Sequence, residues 1–555
     1  MSAESSGTGS TEADLAALAA EYVDDLAERH PDEATELGDH RFDRHLPDLS
    51  GPSLAAERQS LGSFAERIAA LTAASGGRAA LSPEFELDAA LLAEHVARRI
   101  FELEELREHA WNPLLANPGR AVYGLLARDF APLDERLSAV AGRLSEIPAF
   151  LAAARGHLDA MPRVHVETAI TQFDGTIALV AGEIDAVLAK AGASAGVRAE
   201  IDQVRPAALT ALAGHRDWLQ ERLDSGGEFA DPRIGPEKFA RKLSLTLSAA
   251  AGSDTILARA ETDLDQITEE ITALAADLGG TPREVLDRLA ADASDGDTIL
   301  RFCSGALEAQ TAFVRDRDLV TVYDDPVELI DMPEIDRGVA VAYCDFPGPL
   351  ETTRLPTFIA VSPTPQGWTP ERVTSFYREY NRHMVHNLMA HEAMPGHYLQ
   401  QAHARRFSGA TRLRAATLSG PFIEGWAAYT EELMAGHGYP GEGDPRAVKM
   451  QMLKMRLRTT INSILDARVH AHGMTETEAM ELMTVRGFQE EGEAAGKWRR
   501  ALLTSAQLST YYVGYTEISD LARELLAGPG ATPRSVHDRM LAHGSPPVRL
   551  LRTVL

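Results

Sequence analysis

The chain has 555 residues, 45% of them hydrophobic, and a formal net charge of −28 with a pI near 5.1. That length suffices for a large buried core or for two lobes, and 29 prolines in so long a chain leave room for extended helices. So acidic a surface repels phosphate backbones, which excludes nucleic acid and anionic membrane as partners, and no apolar run approaches the roughly 20 residues needed to span a bilayer.

The N-terminus, MSAESSGTGSTEADLAAL, is Ser/Gly-rich and acidic, not basic then apolar. Residues 1–11 therefore read as a disordered tail and not a signal peptide, with cytoplasm as the default location. Ala/Leu/Glu/Arg-rich stretches with helical periodicity follow at Glu12–His30, Ser53–Leu71, Phe85–His109, Leu133–Leu158, Ile170–Ala191 and Val197–Leu223. Residues 12–555 read as one helical domain, with lobes of about 12–230 and 231–555 flanking a cleft. Ser225-Gly226-Gly227 and Gly279-Gly280-Thr281-Pro282 break the helices, and Thr281 and Thr369-Pro370 read as helix starts. Between Leu319 and Pro363 the runs VTVY, VAVAYCDF and PTFIAVSP, separated by Pro/Gly-rich turns, predict a few short strands. The fold class is thus mainly α with a small β-sheet, whose edge could receive an extended peptide. Cys303 and Cys344 have neither zinc-ribbon nor redox spacing and read as idle thiols.

Next comes His391-Glu392-Ala393-Met394-Pro395-Gly396-His397, which puts a His-Glu pair and a second His in one helix-like segment. In an HExxH helix the histidines stand four apart, about 40° around the axis, and grip one zinc with the Glu beside them as base. Here the spacing is six, which leaves the imidazoles about 120° apart on a regular helix. Pro395 and Gly396 supply the means to bend, by a kink or a bulge. A third ligand is expected downstream, where Glu424-Gly425-Trp426-Ala427-Ala428-Tyr429-Thr430-Glu431 begins a second helical pattern 27 residues after His397. Glu424 is favoured, with Glu431 as competitor. Three ligands leave one zinc position open, the mark of a catalytic site. His383, His386 and His403 flank the motif as rival ligands, disfavoured because most histidines on helical surfaces ligate nothing.

Arg458, Asn462, Asp466 and His470 recur at steps of four and form one polar stripe on a helix, either a solvated face or a cleft wall in which Asp466 orients His470. His470 or a tyrosine at 511 or 512 could then donate to the oxyanion formed on attack at a carbonyl.

These motifs resemble a large bacterial family of zinc-hydrolase-like proteins, with HEA-x-PGH followed by EGW-A-x-Y-x-E, distant kin of gluzincin peptidases of the thimet-oligopeptidase and thermostable-carboxypeptidase types. Pro31–Gly38 resembles the family's opening, Asn381–Gln400 its central helix, and Val536–Leu541 followed by Gly544 its end. Two segments depart from the pattern. Leu465–His470 sits where VDTGxH is expected and has Arg468 for the glycine; QLSTYYVG, residues 507–514, sits where QALSYKIG is expected, after Ser505-Ala506 and not Pro-Gly. The resemblance favours Tyr511 over Tyr512 and implies a helical metallopeptidase-like fold, Zn2+, and hydrolysis of a peptide or related amide.

The expectation is a zinc-dependent hydrolase of metallopeptidase type. His391, His397 and Glu424 would hold the metal, Glu392 would move the proton, and His470 and Tyr511 would carry the oxyanion. The rival readings are an amide or ester hydrolase of a small metabolite and a non-catalytic zinc-binding protein. The partner expected is a peptide or small amide substrate, with a homodimer left open.

Overall fold

The computed structural model describes residues 4–74, 81–249, 251–332, 342–364 and 367–555. Helices dominate, as the periodicity predicts. Among the described residues the only sheet has three strands, β1 (Val327–Asp331), β2 (Ala342–Asp345) and β3 (Thr357–Val361), in the order β1-β3-β2. β1 runs parallel to β3, with Val327 opposite Thr357; β2 runs antiparallel to it, with Ala342 opposite Val361. Of the three predicted runs, VTVY is not a strand. Its backbone is claimed by side chains instead: Thr321 N and Oγ1 donate to Asp538, and Thr321 O accepts from His403 Nε2 at 2.8 Å. The start of VAVAYCDF lies outside the described residues.

The chain forms two compact units. The first comprises Met1–Pro232, Pro347–Leu355 and Gly409–Thr417. Its opening helix spans Glu4–Arg29, so the chain is helical through most of the stretch that reads as a tail, while residues 1–3 lie outside the described part. The helices Leu133–His157 and Ala195–Asp224 pack Leu137, Val140, Leu144 and Ile147 against Ile201, Leu212 and Leu219. By length and composition Leu133–His157 is apolar enough to cross a bilayer, which the sequence reading did not anticipate, but more than half of its apolar window is buried in this core. The PDEATELG opening is explained here by packing. Gly38 has φ +86°, and a Cβ there would stand 2.4 Å from Glu351 N, so only glycine admits the 347–355 segment.

The second unit comprises Arg233–Phe346, Pro356–Ser408 and Leu418–Leu555. Six of its helices carry the site: α1 (Arg382–Glu392), α2 (His397–Ala404), α3 (Gly420–Gly436), α4 (Pro445–His472), α5 (Glu491–Leu503) and α6 (Ser509–Leu526). Starts follow their caps. Asn381 Oδ1 accepts from the amides of His383 and Met384, Thr369 caps the helix opened by Pro370, and Thr281 with Glu284 forms a capping box. α4 is buried along most of its length, with Leu453, Leu457, Ile461 and Leu465 in the core, and it packs against α1, α3 and α6.

Candidate metal centre

α1 ends at Glu392. Ala393 leaves helical geometry at φ −125°, ψ −80°, the Met394–Pro395 peptide is cis, and α2 restarts at His397. The expected break is present between Glu392 and His397, and Gly396 is indispensable to it, because a Cβ there would lie 1.8 Å from His391 O. The break turns the two imidazoles toward each other, with ring centroids 4.7 Å apart.

α3 supplies the rest. Glu424 Oε2 lies 3.5 Å from His391 Nε2 and 3.5 Å from His397 Nε2, and the donor atoms of the three residues all fall within 4.8 Å of one another. Ligands about 2.0–2.1 Å from a tetrahedral zinc stand about 3.3 Å apart, so the separations match the metal's demand. Glu424 Oε2 is buried and has no hydrogen-bond partner, which a metal would supply. Burial works against the Glu424 carboxylate, yet the two imidazoles hold it well below the usual carboxylate range; burial likewise opposes charge on His391, but Glu424 and Glu431 hold it well above its ordinary value. Two nitrogens and one carboxylate, gathered at these distances, fit a His2Glu zinc set.

Each letter of the EGW-A-x-Y-T-E run has a visible part. Gly425 meets Gly514 of α6 backbone to backbone, since a Cβ at Gly425 would stand 2.3 Å from the Gly514 carbonyl carbon, and this draws α6 against the ligand helix. Trp426 Nε1 donates to Pro395 O at 2.9 Å and Thr430 Oγ1 to Ala390 O at 3.0 Å, fastening α3 to both sides of the break. Tyr429 OH donates to His537 Nε2 at 2.8 Å. Glu431 stands behind the candidate ligands: its Oε1 lies 2.8 Å from His391 Nδ1 and its Oε2 accepts from Asn387 Nδ2 at 2.5 Å, the place of a group that orients His391.

Glu392 is buried beside the histidines, where burial raises its carboxyl while His391 and His397 pull it down, and it accepts a backbone hydrogen bond from Cys344 of β2. Tyr511 projects from the first turn of α6. Burial first and the Glu424 carboxylate next push its hydroxyl up, and Arg500 Nη2 donates to it at 3.2 Å. Tyr512 points elsewhere, donating to Asp263 at 2.6 Å.

The expectation for His470 is corrected by its surroundings. The end of the stripe on α4 is neither a solvated face nor a cleft wall: Asp466 is fully buried and spends its oxygens on the amides of Ala506 and Ser509 and on Ser509 Oγ, capping α6. His470 Nε2 donates to the carbonyls of Ala501 and Thr504 at 2.9 and 2.8 Å, closing the end of α5, which leaves no proton for an oxyanion. His386 pairs with Glu442 and Tyr439, His403 with Thr321 O, and His383 faces Asp292; none joins the ligands. Arg500 is the neighbour that sequence reading missed, because an arginine on an amphipathic helix carries no distinguishing signal.

The same architecture recurs in solved structures. The chain is similar to a "putative lipoprotein of unknown function" from Shewanella oneidensis, at 27% identity over 97% of this chain and 99% of that one, with a TM-score of 0.81. It shares its fold with a "putative lipoprotein" from Colwellia psychrerythraea, at 16% identity over 98% of both chains and a TM-score of 0.80. Cytoplasm, the default drawn from the N-terminal composition, is overturned by these two descriptions. No curated protein matches the chain. Residues 31–555, nearly its whole length, match one family profile, and the chain belongs to that family, the bacterial proteins of unknown function DUF885.

Proposed function

We propose that the protein is a zinc-dependent hydrolase of metallopeptidase type, distantly akin to the gluzincin peptidases, that cleaves a peptide or related amide bond. The observation that carries this reading is the gathering of His391, His397 and Glu424 donor atoms with the buried Glu392 carboxylate beside them. When bound, zinc supplies a Lewis acid that polarises a carbonyl and makes water a competent nucleophile near neutral pH.

Glu392 takes a proton from the attacking water and passes it to the leaving nitrogen. Its raised affinity for a proton suits both halves of that task. The Tyr511 hydroxyl, itself receiving a hydrogen bond from Arg500, donates to the oxygen on which negative charge develops. β2 is bonded through Cys344 to Glu392, so the sheet supports the carboxylate that moves the proton.

Purified without chelator, the protein is expected to hold about one zinc per chain, read by elemental analysis. No metal after purification and no uptake from supplied zinc would remove the basis of the reading.

A further inference from the structure

α5 presents Glu493, Lys497 and Arg500 on one face, at helical spacing. Opposite them α4 presents Lys454 and Arg458. Two of these four cations are matched: Arg458 pairs with Glu493 and also donates to Tyr380 OH at 3.3 Å, and Lys454 Nζ lies 2.8 Å from Glu379 Oε2. The other two are not. Lys497 is 6% exposed and makes no hydrogen bond or ion pair with a described residue. Arg500 spends one guanidinium nitrogen on Gln507 Oε1, at 2.9 Å, and on Tyr511 OH, and meets no carboxylate.

Lys497 is buried while the acid that acts on it, Glu493, is already paired with Arg458, and half-buried Arg500 has no carboxylate in contact; in a protein of net charge −28 this runs against the rule that buried charges are paired. Burial, followed by repulsion from Arg458, holds the Lys497 amine well below its ordinary range. Arg500 also adjoins the candidate metal centre, since it holds the Tyr511 hydroxyl and that hydroxyl feels the Glu424 carboxylate, and Lys497 stands one turn earlier on the same face of α5.

We propose that Lys497 and Arg500 form a subsite for a carboxylate of the substrate, so that hydrolysis falls next to a free carboxylate, as at the last bond of a peptide or in an N-acyl amino acid. This rests on the hydrolase reading. A carboxylate offers one oxygen to the ammonium and one to the unused edge of the guanidinium, and its charge replaces the counterion that the fold withholds. An uncharged end at the same place leaves the buried Lys497 without a partner and Arg500 without a carboxylate, which is how a site of this kind rejects it.

The test uses the zinc-loaded full chain and a peptide pool in free-acid and C-terminal amide forms, with cleavage read by mass spectrometry. The free acids are expected to lose their last residue, with kcat/KM on the order of 100-fold above the amides. In Lys497→Met and Arg500→Gln that acid-to-amide ratio is expected to fall about tenfold or more. Thermal melts check folding, and Lys497→Met is expected to melt higher because a buried polar group without a partner is replaced by an apolar one. Equal cleavage of acids and amides, cleavage at internal bonds only, or an unchanged ratio in a folded variant would overturn the subsite. If neither form is cleaved the hydrolase reading has failed, and titration calorimetry with N-acetylphenylalanine and its amide decides the subsite alone. Binding of the acid that weakens about tenfold in Lys497→Met supports it; equal binding of acid and amide, or none, overturns it.

Discussion

His391 is held from both ring nitrogens, by Glu431 at Nδ1 and with Glu424 facing Nε2, so its ring orientation is set by these two carboxylates. Glu431→Gln is therefore expected to weaken zinc affinity by about 10–100-fold, measured by competition with a chelator. Glu424→Ala is expected to lose the metal, and full occupancy in that variant would mean that the third ligand lies elsewhere. Glu392→Gln should keep the metal and lose hydrolysis by several orders of magnitude, through loss of the proton acceptor. At this scale the three residues that the structure gathers, His391, His397 and Glu424, were legible because a His-Glu pair, Pro-Gly and a downstream Glu are rare in combination. His470 was misread for an instructive reason: a period-four polar stripe looks the same whether it faces water, a substrate or the ends of two neighbouring helices. Lys497 and Arg500 gave no signal at all, since Glu, Lys and Arg at helical spacing are what any solvated helix shows.

At the scale of elements, the approach of α3 to α6 rests on two glycines. A Cβ on Gly514 would lie 2.0 Å from Pro421 O, a backbone atom that cannot swing aside. Gly514→Ala is accordingly expected to cost about 1–3 kcal/mol, as overpacking does, and to lower activity further by moving Tyr511 from Glu424. Gly305, inside the helix Ile299–Asp316 with nothing within 4 Å of its Cβ position, is the control. Gly305→Ala should gain up to about 1 kcal/mol from helix propensity alone. Chemical denaturation of both variants checks the contrast. Helix positions were readable from periodicity and caps, but VTVY shows where local pattern yields: its β propensity is overruled once Asp538 and His403, both distant in sequence, claim the Thr321 backbone.

For the whole molecule, acid is the stress that the two units feel alike. His215 in the first and His537 in the second are fully buried, and burial lowers each to about 4. The unfolded chain, with histidines near 6.5, binds more protons than the native one between these values. Stability is thus complete above about pH 6.5 and falls as the pH drops toward 4, by about 2 kcal/mol per histidine at pH 5. Urea unfolding at pH 7.5 and pH 5 reads the slope, and His537→Gln should flatten it while lowering stability at both. A wild-type slope unaffected by that substitution would show that His537 is not titrating as its contacts with Tyr429 and Leu319 require. Composition revealed the charge and the helical class, whereas cellular location left no mark that composition could report.

The indole of Trp426, bonded to the carbonyl of Pro395, bears on how such a site changes over evolution. Removing two residues from the break would convert the six-residue grip to the four-residue one in a single step. It would also fold the freed carbonyl back into a regular helix and strand the Trp426 N–H in the core, a loss of about 1–3 kcal/mol. The two spacings are therefore separated by a stability cost that a single deletion incurs at once. Replacing Trp426 by an apolar residue beforehand removes that cost, because no indole N–H is then left to strand.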